Sequence, residues 1–250
     1  MSNPLVRTLI QYGDDSLILA QRLCEWSGHA PTIEVDLSLS NLALDLIGQA
    51  TLLLDYAGEL EDPQRNADQL AYHRDCEQFT NCLLVEQPNG DFAQTIARQF
   101  LYSTYALALF RGLESSADER IAAIAAKATK ELAYHVDFSV DWVIRLGDGT
   151  EESHQRMVDG FDWHWRFMDD LFAMTEDERA LATQGIIVDR AAIRGQFEDR
   201  VNQTLAVATL PPKPDVWQIT GGRIGKHTEH LGPLLAEMQV LPRAHPEAVW

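Results

Sequence analysis

Acids and histidines at helical spacing are the residues of this chain that could do redox chemistry, and a di-iron carboxylate centre is the first arrangement to test. Such a centre takes one carboxylate from each of two helices and a Glu-x-x-His from each of two others, the i, i+3 spacing placing both ligands on one face. One literal Glu-x-x-His occurs, Glu151-Glu152-Ser153-His154. It follows a Gly-Asp-Gly turn, where two glutamates in a first helical turn answer the helix dipole, so it reads as cap chemistry. At the depth where ligands would converge, the sequence offers Asp45, then Asp75-Cys76-Glu77-Gln78, then Leu132-Ala133-Tyr134-His135. Gln78 stands where a His would follow Asp75, and Leu132 where a Glu would precede His135. A neutral amide is a poor iron ligand and a leucine is none. Glu131 cannot stand in for Leu132, because one residue is a rotation of about 100° on a helix. Asp45, Asp75, Gln78, Leu132 and His135 thus read as remnants of a degenerate di-iron site, with no metal, catalytic or cofactor-binding residue expected in this chain. Buried carboxylates persist only when neutralised or hydrogen-bonded. Asp45, Asp75, Gln78 and His135 are therefore expected to share a buried polar network served by Arg74 or Lys130; the alternative for each is a solvent-facing position.

Other chemistries find less support. The segment Gly221-Gly222-Arg223-Ile224-Gly225-Lys226-His227-Thr228 suggests a phosphate loop, but Thr220 stands at the first required glycine and His227 at the required Ser/Thr. It reads instead as a glycine-shaped loop ending in Thr228, an N-cap for a helix from Glu229. No Gly-x-Ser-x-Gly elbow occurs. Cys24, Cys76 and Cys82 form no Cys-x-x-Cys pair, which fits reduced, buried thiols. Trp163, His164, Trp165 and Phe167 make an aromatic-rich patch suited to a core or a subunit contact.

These residues must be carried by helices, since helical periodicity dominates from Asp14 to about Ala208 and no run alternates with period two. The fold class is all-α. A first helix is expected over 15–27, with acids in its opening turn, and a long second helix over 32–60. The second places Leu37, Asn41, Leu44, Asp45, Gly48, Gln49, Leu52 and Tyr56 along one broad stripe. A third is expected over 67–85, a fourth over 92–113 after the Pro88-Asn89-Gly90 turn, and a fifth to about Leu146 after a Ser116-to-Glu119 capping box. Further helices are predicted over 151–173, after a Thr175-to-Glu178 box, over 190–208 and over 229–238. The long helices, joined by short turns, pair as two hairpins packed face to face, the second helix with the third and the fourth with the fifth. This gives a four-helix bundle with additional helices. Pro211-Pro212-Lys213-Pro214 marks a boundary. The predicted organisation is a bundle over residues 1–210 and a C-terminal arm with one short helix over 211–250, packed on the same domain.

Composition narrows the partners. The 250 residues hold 20 Lys and Arg against 38 Asp and Glu, a formal net charge of −18, with 46% apolar residues. A chain this acidic is repelled by polyphosphates and anionic lipid, so neither nucleic acid nor membrane is expected as a partner. No basic segment followed by an apolar block opens the chain, and no uninterrupted apolar stretch nears the roughly 18 residues of a bilayer span. A cytoplasmic protein is expected.

Several longer motifs are, singly, no catalytic signature: Gly13-Asp14-Asp15, Glu25-Trp26-Ser27-Gly28-His29-Ala30-Pro31, Val85-Glu86-Gln87-Pro88-Asn89-Gly90-Asp91-Phe92-Ala93-Gln94-Thr95, Lys130 to His135, Arg145 to Thr150, Gly221-Gly222-Arg223, His227-Thr228-Glu229 and Leu234 to Gln239. Taken together, over nearly the whole chain, they resemble the C subunits of the phenylacetyl-CoA ring-1,2-epoxidases, the bacterial multicomponent monooxygenases of aerobic phenylacetate degradation. The resemblance implies a ferritin-like fold and a non-catalytic, structural role beside an A subunit that carries the di-iron centre and binds the CoA thioester. It also implies a B subunit and a reductase in the full complex, which uses NADPH and O2. The other reading is a self-sufficient ferritin-like di-metal oxidoreductase with an atypical ligand set.

Overall fold

The computed structural model describes residues 3–248, which are helical with no strand among them. The chain divides into two compact units, one built from the segment up to Pro88 together with the segment from Gly221 onward, the other from Asn89–Thr220. The division therefore falls at Pro88 and at Thr220 rather than at residue 210.

In the first unit, α1 (Pro4–Cys24) and α2 (Ile33–Glu59) pack together as a long hairpin, joined by α3 (Ala67–Tyr72) and α10 (Leu231–Ala244). α1 begins eleven residues ahead of its expected start at Asp15. Pro4 supplies a pre-set φ at the first helical position, and Asn3 caps the turn by accepting from the Leu5 amide at 3.0 Å. Asp14 and Asp15 thus lie mid-helix, and every residue from Gln11 to Ala20 is buried. α2 agrees closely with its expected span. It buries Val35, Leu39, Leu42, Leu46, Ala50, Leu53 and Ala57, spaced by three and four residues, as its inner face. Most of the stripe noted in the sequence lies elsewhere, with Leu37, Asn41, Leu44 and Leu52 exposed. By length and mean hydropathy, 1.4 over an 18-residue window, α2 is the one described helix apolar enough to cross a membrane; 44% of that window is buried.

The third expected helix, 67–85, is shorter. α3 opens on an Asn66–Gln69 capping box and ends at Tyr72; only a 3-10 turn, Cys76–Gln78, follows before irregular chain to Pro88. The helix ends where α10 side chains take its last carbonyls, Ala71 O accepting from Gln239 Nε2 at 3.0 Å and Tyr72 O from Arg243 Nε at 3.1 Å; further on, the amides of Thr80 and Cys82 point to carboxylates on α1 and join no i to i−4 ladder. The long hairpin of this unit is accordingly α1 with α2, not the second helix with the third. At the other end, the last helix begins at Leu231, two residues later than expected. Thr228 does not cap it, since its amide and hydroxyl both go to Glu86.

The second unit is built on α4 (Phe92–Leu113) and α5 (Glu119–Gly147), with α6 (Glu151–His164) and α9 (Arg190–Val207) packed on them. α4 matches its expected span and is buried at every residue from Thr95 to Phe110. α5 is capped by Asp118, which accepts from the Ile121 amide at 3.0 Å. Ser116, the expected cap, instead donates to the Ile186 carbonyl at 2.6 Å. The helix expected over 151–173 breaks at a 3-10 turn, Trp165–Phe167, and resumes as α7 (Met168–Phe172). Its carbonyls are diverted there: Trp165 O accepts from Gln218 Nε2 at 2.9 Å and Arg166 O from the Ile219 amide at 2.7 Å. α8 (Glu176–Thr183) opens on the expected Thr175–Glu178 box. Trp165 stacks on Phe161 and is buried with Phe167 and His164, while Trp163 is half-exposed.

Candidate functional site

Two adjacent acids on α1 form the centre of a buried polar network in the first unit. Asp14 and Asp15 are 0% and 1% exposed, so each carboxylate must be neutralised in place. Asp14 takes a two-pronged contact from Arg74, whose Nη1 lies 3.0 Å from Oδ2 and whose Nη2 donates to Oδ1. It also accepts from the Thr80 amide at 2.9 Å and the Thr80 hydroxyl at 3.2 Å. Arg74 is held by the Leu70 and Gln78 carbonyls and sits 4.1 Å over the Phe79 ring. Asp15 is met by Arg223, both guanidinium nitrogens at 2.8 Å, and by the Cys82 amide at 2.7 Å. Parallel N–H···O pairs of this kind are the strongest form of charge-assisted hydrogen bond.

Glu86, 0% exposed, is the third carboxylate. Its Oε1 accepts from the Thr228 amide (2.7 Å) and hydroxyl (2.8 Å), and its Oε2 accepts from Asn81 Nδ2 at 2.9 Å and His227 Nδ1 at 2.8 Å. His227 Nε2 faces the Phe79 carbonyl at 2.8 Å. Both ring nitrogens therefore face acceptors, which only the doubly protonated imidazolium satisfies. Burial opposes that charge, but the hydrogen bond and charge of Glu86, the Phe79 carbonyl and Asp14 outweigh it and raise the His227 pKa above its usual 6.5. Three carboxylates are thus set against Arg74, Arg223 and protonated His227.

The glycine segment makes this possible. Gly221 (φ 142°) and Gly225 (φ 75°) adopt conformations open to glycine, and the turn between them projects Arg223 onto Asp15. A Cβ at Gly225 would also lie 2.5 Å from the Glu77 carbonyl oxygen. Gly225→Ala is expected to destabilise this unit by about 2 kcal/mol or more, combining left-handed strain with a backbone clash, measured as a lowered denaturation midpoint.

The sequence-predicted residues lie elsewhere. Asp45 is half-buried on α2. Asp75 and Gln78 are brought together, the Asp75 amide donating to Gln78 Oε1 at 2.8 Å, but both are exposed and Asp75 pairs with Arg243 at 3.1 Å. Their side chains do not join the buried network, because the 3-10 turn that carries Gln78 and is capped by Asp75 faces outward; only the Gln78 carbonyl reaches it, accepting from Arg74. Leu132 and His135 are buried on α5, in the second unit, where the Ser139 hydroxyl donates to the His135 carbonyl at 2.8 Å. Arg74 does neutralise a buried acid, but that acid is Asp14; Lys130 is exposed. His154, of the literal Glu-x-x-His, has Nδ1 2.7 Å from the Gly147 carbonyl at the turn before its own helix.

These residues do not fit a di-iron centre. Among the described residues no group of three or more His, Cys, Asp and Glu could hold a metal ion, and the buried acids of the network already have their oxygens on guanidinium, imidazole, amide and hydroxyl donors. Sequence reasoning missed Asp14, Asp15, Glu86, Arg223 and His227 as a set. The usable signal was a pair of acids within an apolar helical run, Leu9, Tyr12, Leu17 and Ile18 around Asp14-Asp15, which requires buried cations from elsewhere.

Two further buried groups stand in the second unit. Glu178 pairs with Arg190 at 2.8 Å, both nearly inaccessible. His164 has Nε2 3.1 Å from the Gln94 carbonyl and no hydrogen-bond partner at Nδ1 among the described residues. Burial, aided by the positive charge of Arg98, pushes its pKa down to about 3, so it is the neutral Nε2–H tautomer. Of the three free cysteines only Cys82 is buried. Cys24 is exposed and Cys76 half-buried, and partial burial, with Glu25 at Cys24 and Glu86 and Glu77 at Cys76, pushes both thiols up and away from thiolate reactivity.

Comparison with known proteins agrees with these motifs. The family model described as phenylacetic acid catabolic protein matches residues 1–250. The C subunit of the 1,2-phenylacetyl-CoA epoxidase of Escherichia coli (strain K12) is 48% identical over 248 residues, covering 99% of this chain and 100% of that protein.

Proposed function

Because the chain belongs to the phenylacetic acid catabolic protein family, we propose that it is a non-catalytic structural subunit of a phenylacetyl-CoA 1,2-epoxidase, acting in aerobic phenylacetate breakdown. Its partner is the catalytic A subunit, which carries the di-iron centre; a B subunit and a reductase complete a cytoplasmic complex that uses NADPH and O2. The four long helices, α1, α2, α4 and α5, have the lengths a ferritin-like four-helix core requires.

The observation that carries the non-catalytic role is the donor set. The network of Asp14, Asp15 and Glu86 has its charge answered by Arg74, Arg223 and His227, and the α5 position that would supply a metal-binding glutamate is Leu132. Ion pairs that close on themselves hold chain segments in register. Here they hold the C-terminal segment to α1, a role suited to a scaffold.

The test is a pull-down of the purified chain against the A subunit of the same organism, with iron counted on both. The expected result is a stable complex with about two irons on the A subunit and none on this chain. Two tightly bound irons on the isolated chain, with oxygen-dependent turnover, would establish the self-sufficient oxidoreductase instead.

A further inference from the structure

Helix α2 carries an apolar face that its own unit leaves in solvent. Ile33, Leu37, Leu44, Ile47 and Leu52 are 77, 61, 64, 38 and 37% exposed. At 100° per residue the first four fall within a sector of about 80°; Leu52 lies about 60° outside it, and the half-buried Asp55 falls within it near the C-terminal end of the helix. Ser40, Gly48 and Thr51 lie in or beside the same sector, leaving a surface that another helix can approach closely. Scattered exposed leucines are ordinary; four exposed aliphatic side chains aligned on one face from Ile33 to Ile47 are not.

The electrostatics of the stripe select its occupant. α2 carries Glu34, Asp36, Asp45, Asp55 and Glu59 and no Lys or Arg. A second copy laid along it would bring acids against acids in any register, with no cation on either helix to meet them. An anionic bilayer is disfavoured by the same charge. We propose that this face docks the catalytic A subunit, through an aliphatic helix stripe bordered there by Lys and Arg. This rests on the structural-subunit reading above. The five side chains offer on the order of 500 Å² of aliphatic surface, against about 800 Å² per partner in a standard stable interface. They supply the apolar centre and the acids its charged rim.

The experiment uses the full chain, wild type and Leu37→Asp/Leu44→Asp, titrated against the purified A subunit by calorimetry. Both positions are exposed, so circular dichroism and thermal unfolding are expected to match wild type; Leu37→Ala/Leu44→Ala provides a milder pair, and Val207→Asp, an exposed position on α9, an off-site control. The expected result is at least a 100-fold loss of affinity in the Asp pair, a smaller loss in the Ala pair, none in the control, and weaker wild-type binding as salt rises. Wild-type binding with the Asp pair unchanged overturns the docking face alone. No wild-type binding overturns the structural-subunit reading and the docking face with it. A wild-type homodimer in light scattering that the Asp pair dissolves, or sedimentation of wild type but not the Asp pair with phosphatidylglycerol vesicles, assigns the face to another occupant and overturns the proposal.

Discussion

Arg223→Ala is expected to destabilise the unit that contains it by about 3–5 kcal/mol, because it leaves the Asp15 carboxylate buried with its strongest partner gone. Both oxygens of Asp15 are engaged by Arg223 at 2.8 Å, and the Cys82 amide alone would remain on Oδ1. For a chain of this size each kcal/mol shifts the melting temperature by about 2–4 °C, so a fall of roughly 10 °C is the measurable outcome. The loss should be local at first. Arg223 lies on the segment from Gly221, so proteolysis should cleave that segment from the variant while α4 and α5 stay protected. A double-mutant cycle separates pairing from packing. Asp15→Leu with Arg223→Met removes both charges and should recover much of the loss, giving a coupling energy of about 2 kcal/mol or more. If Arg223→Met and Asp15→Leu were instead additive, the pair would contribute no specific stability.

The second large effect is a pH dependence with opposite contributions from two buried histidines. His164, held near 3 against an ordinary 6.5, is neutral when folded, while the unfolded chain takes up the proton first as pH falls. Its contribution is full above about pH 6.5 and is lost progressively down to about pH 3, amounting to about 5 kcal/mol at 1.36 kcal/mol per unit. His227 runs the other way. Its folded pKa is raised, so its contribution is full below 6.5 and is lost as pH climbs through the raised value. Denaturant midpoints followed from pH 4 to 9 should fall on both sides of a maximum near neutrality. His164→Asn should flatten the acid side and His227→Gln the alkaline side. An acid limb unchanged in His164→Asn would show that this histidine is not the group responsible.

Much of the architecture was readable from local pattern. α2, α4 and α9 appear within a residue or so of their expected ends, because each is bounded by its own punctuation: Thr32 and the Asp62-Pro63 stop, Asp91 after the Asn89-Gly90 turn, and Asp189 ahead of Arg190. The third helix failed for a reason that pattern does not carry. Helical periodicity continues past Tyr72, but the amides of Thr80 and Cys82 are worth more to two buried carboxylates than to a helical ladder, and those carboxylates are about 66 residues away in sequence. The same blindness placed Asp14 and Asp15 at a helix start, where exposed acids are cheap, although they are buried mid-helix.

The sequence by itself determined the helical class, the family-bearing motifs and the absence of any Glu-x-x-His beyond Glu151 to His154, since each is a matter of residue type at short spacing. The tertiary structure alone decided what those motifs are for. Asp15 and Arg223 are separated by 208 residues, and Glu86 and His227 by 141. Nothing local marks them as partners, because a buried ion pair is specified by the requirement that no charge stay uncompensated in the interior, and only the folded chain shows which charges are interior. Burial likewise settled the stripe on α2. Periodicity showed that one face of the helix differs from the other, while the packing of α1 determined which of the two apolar faces became core and which stayed exposed.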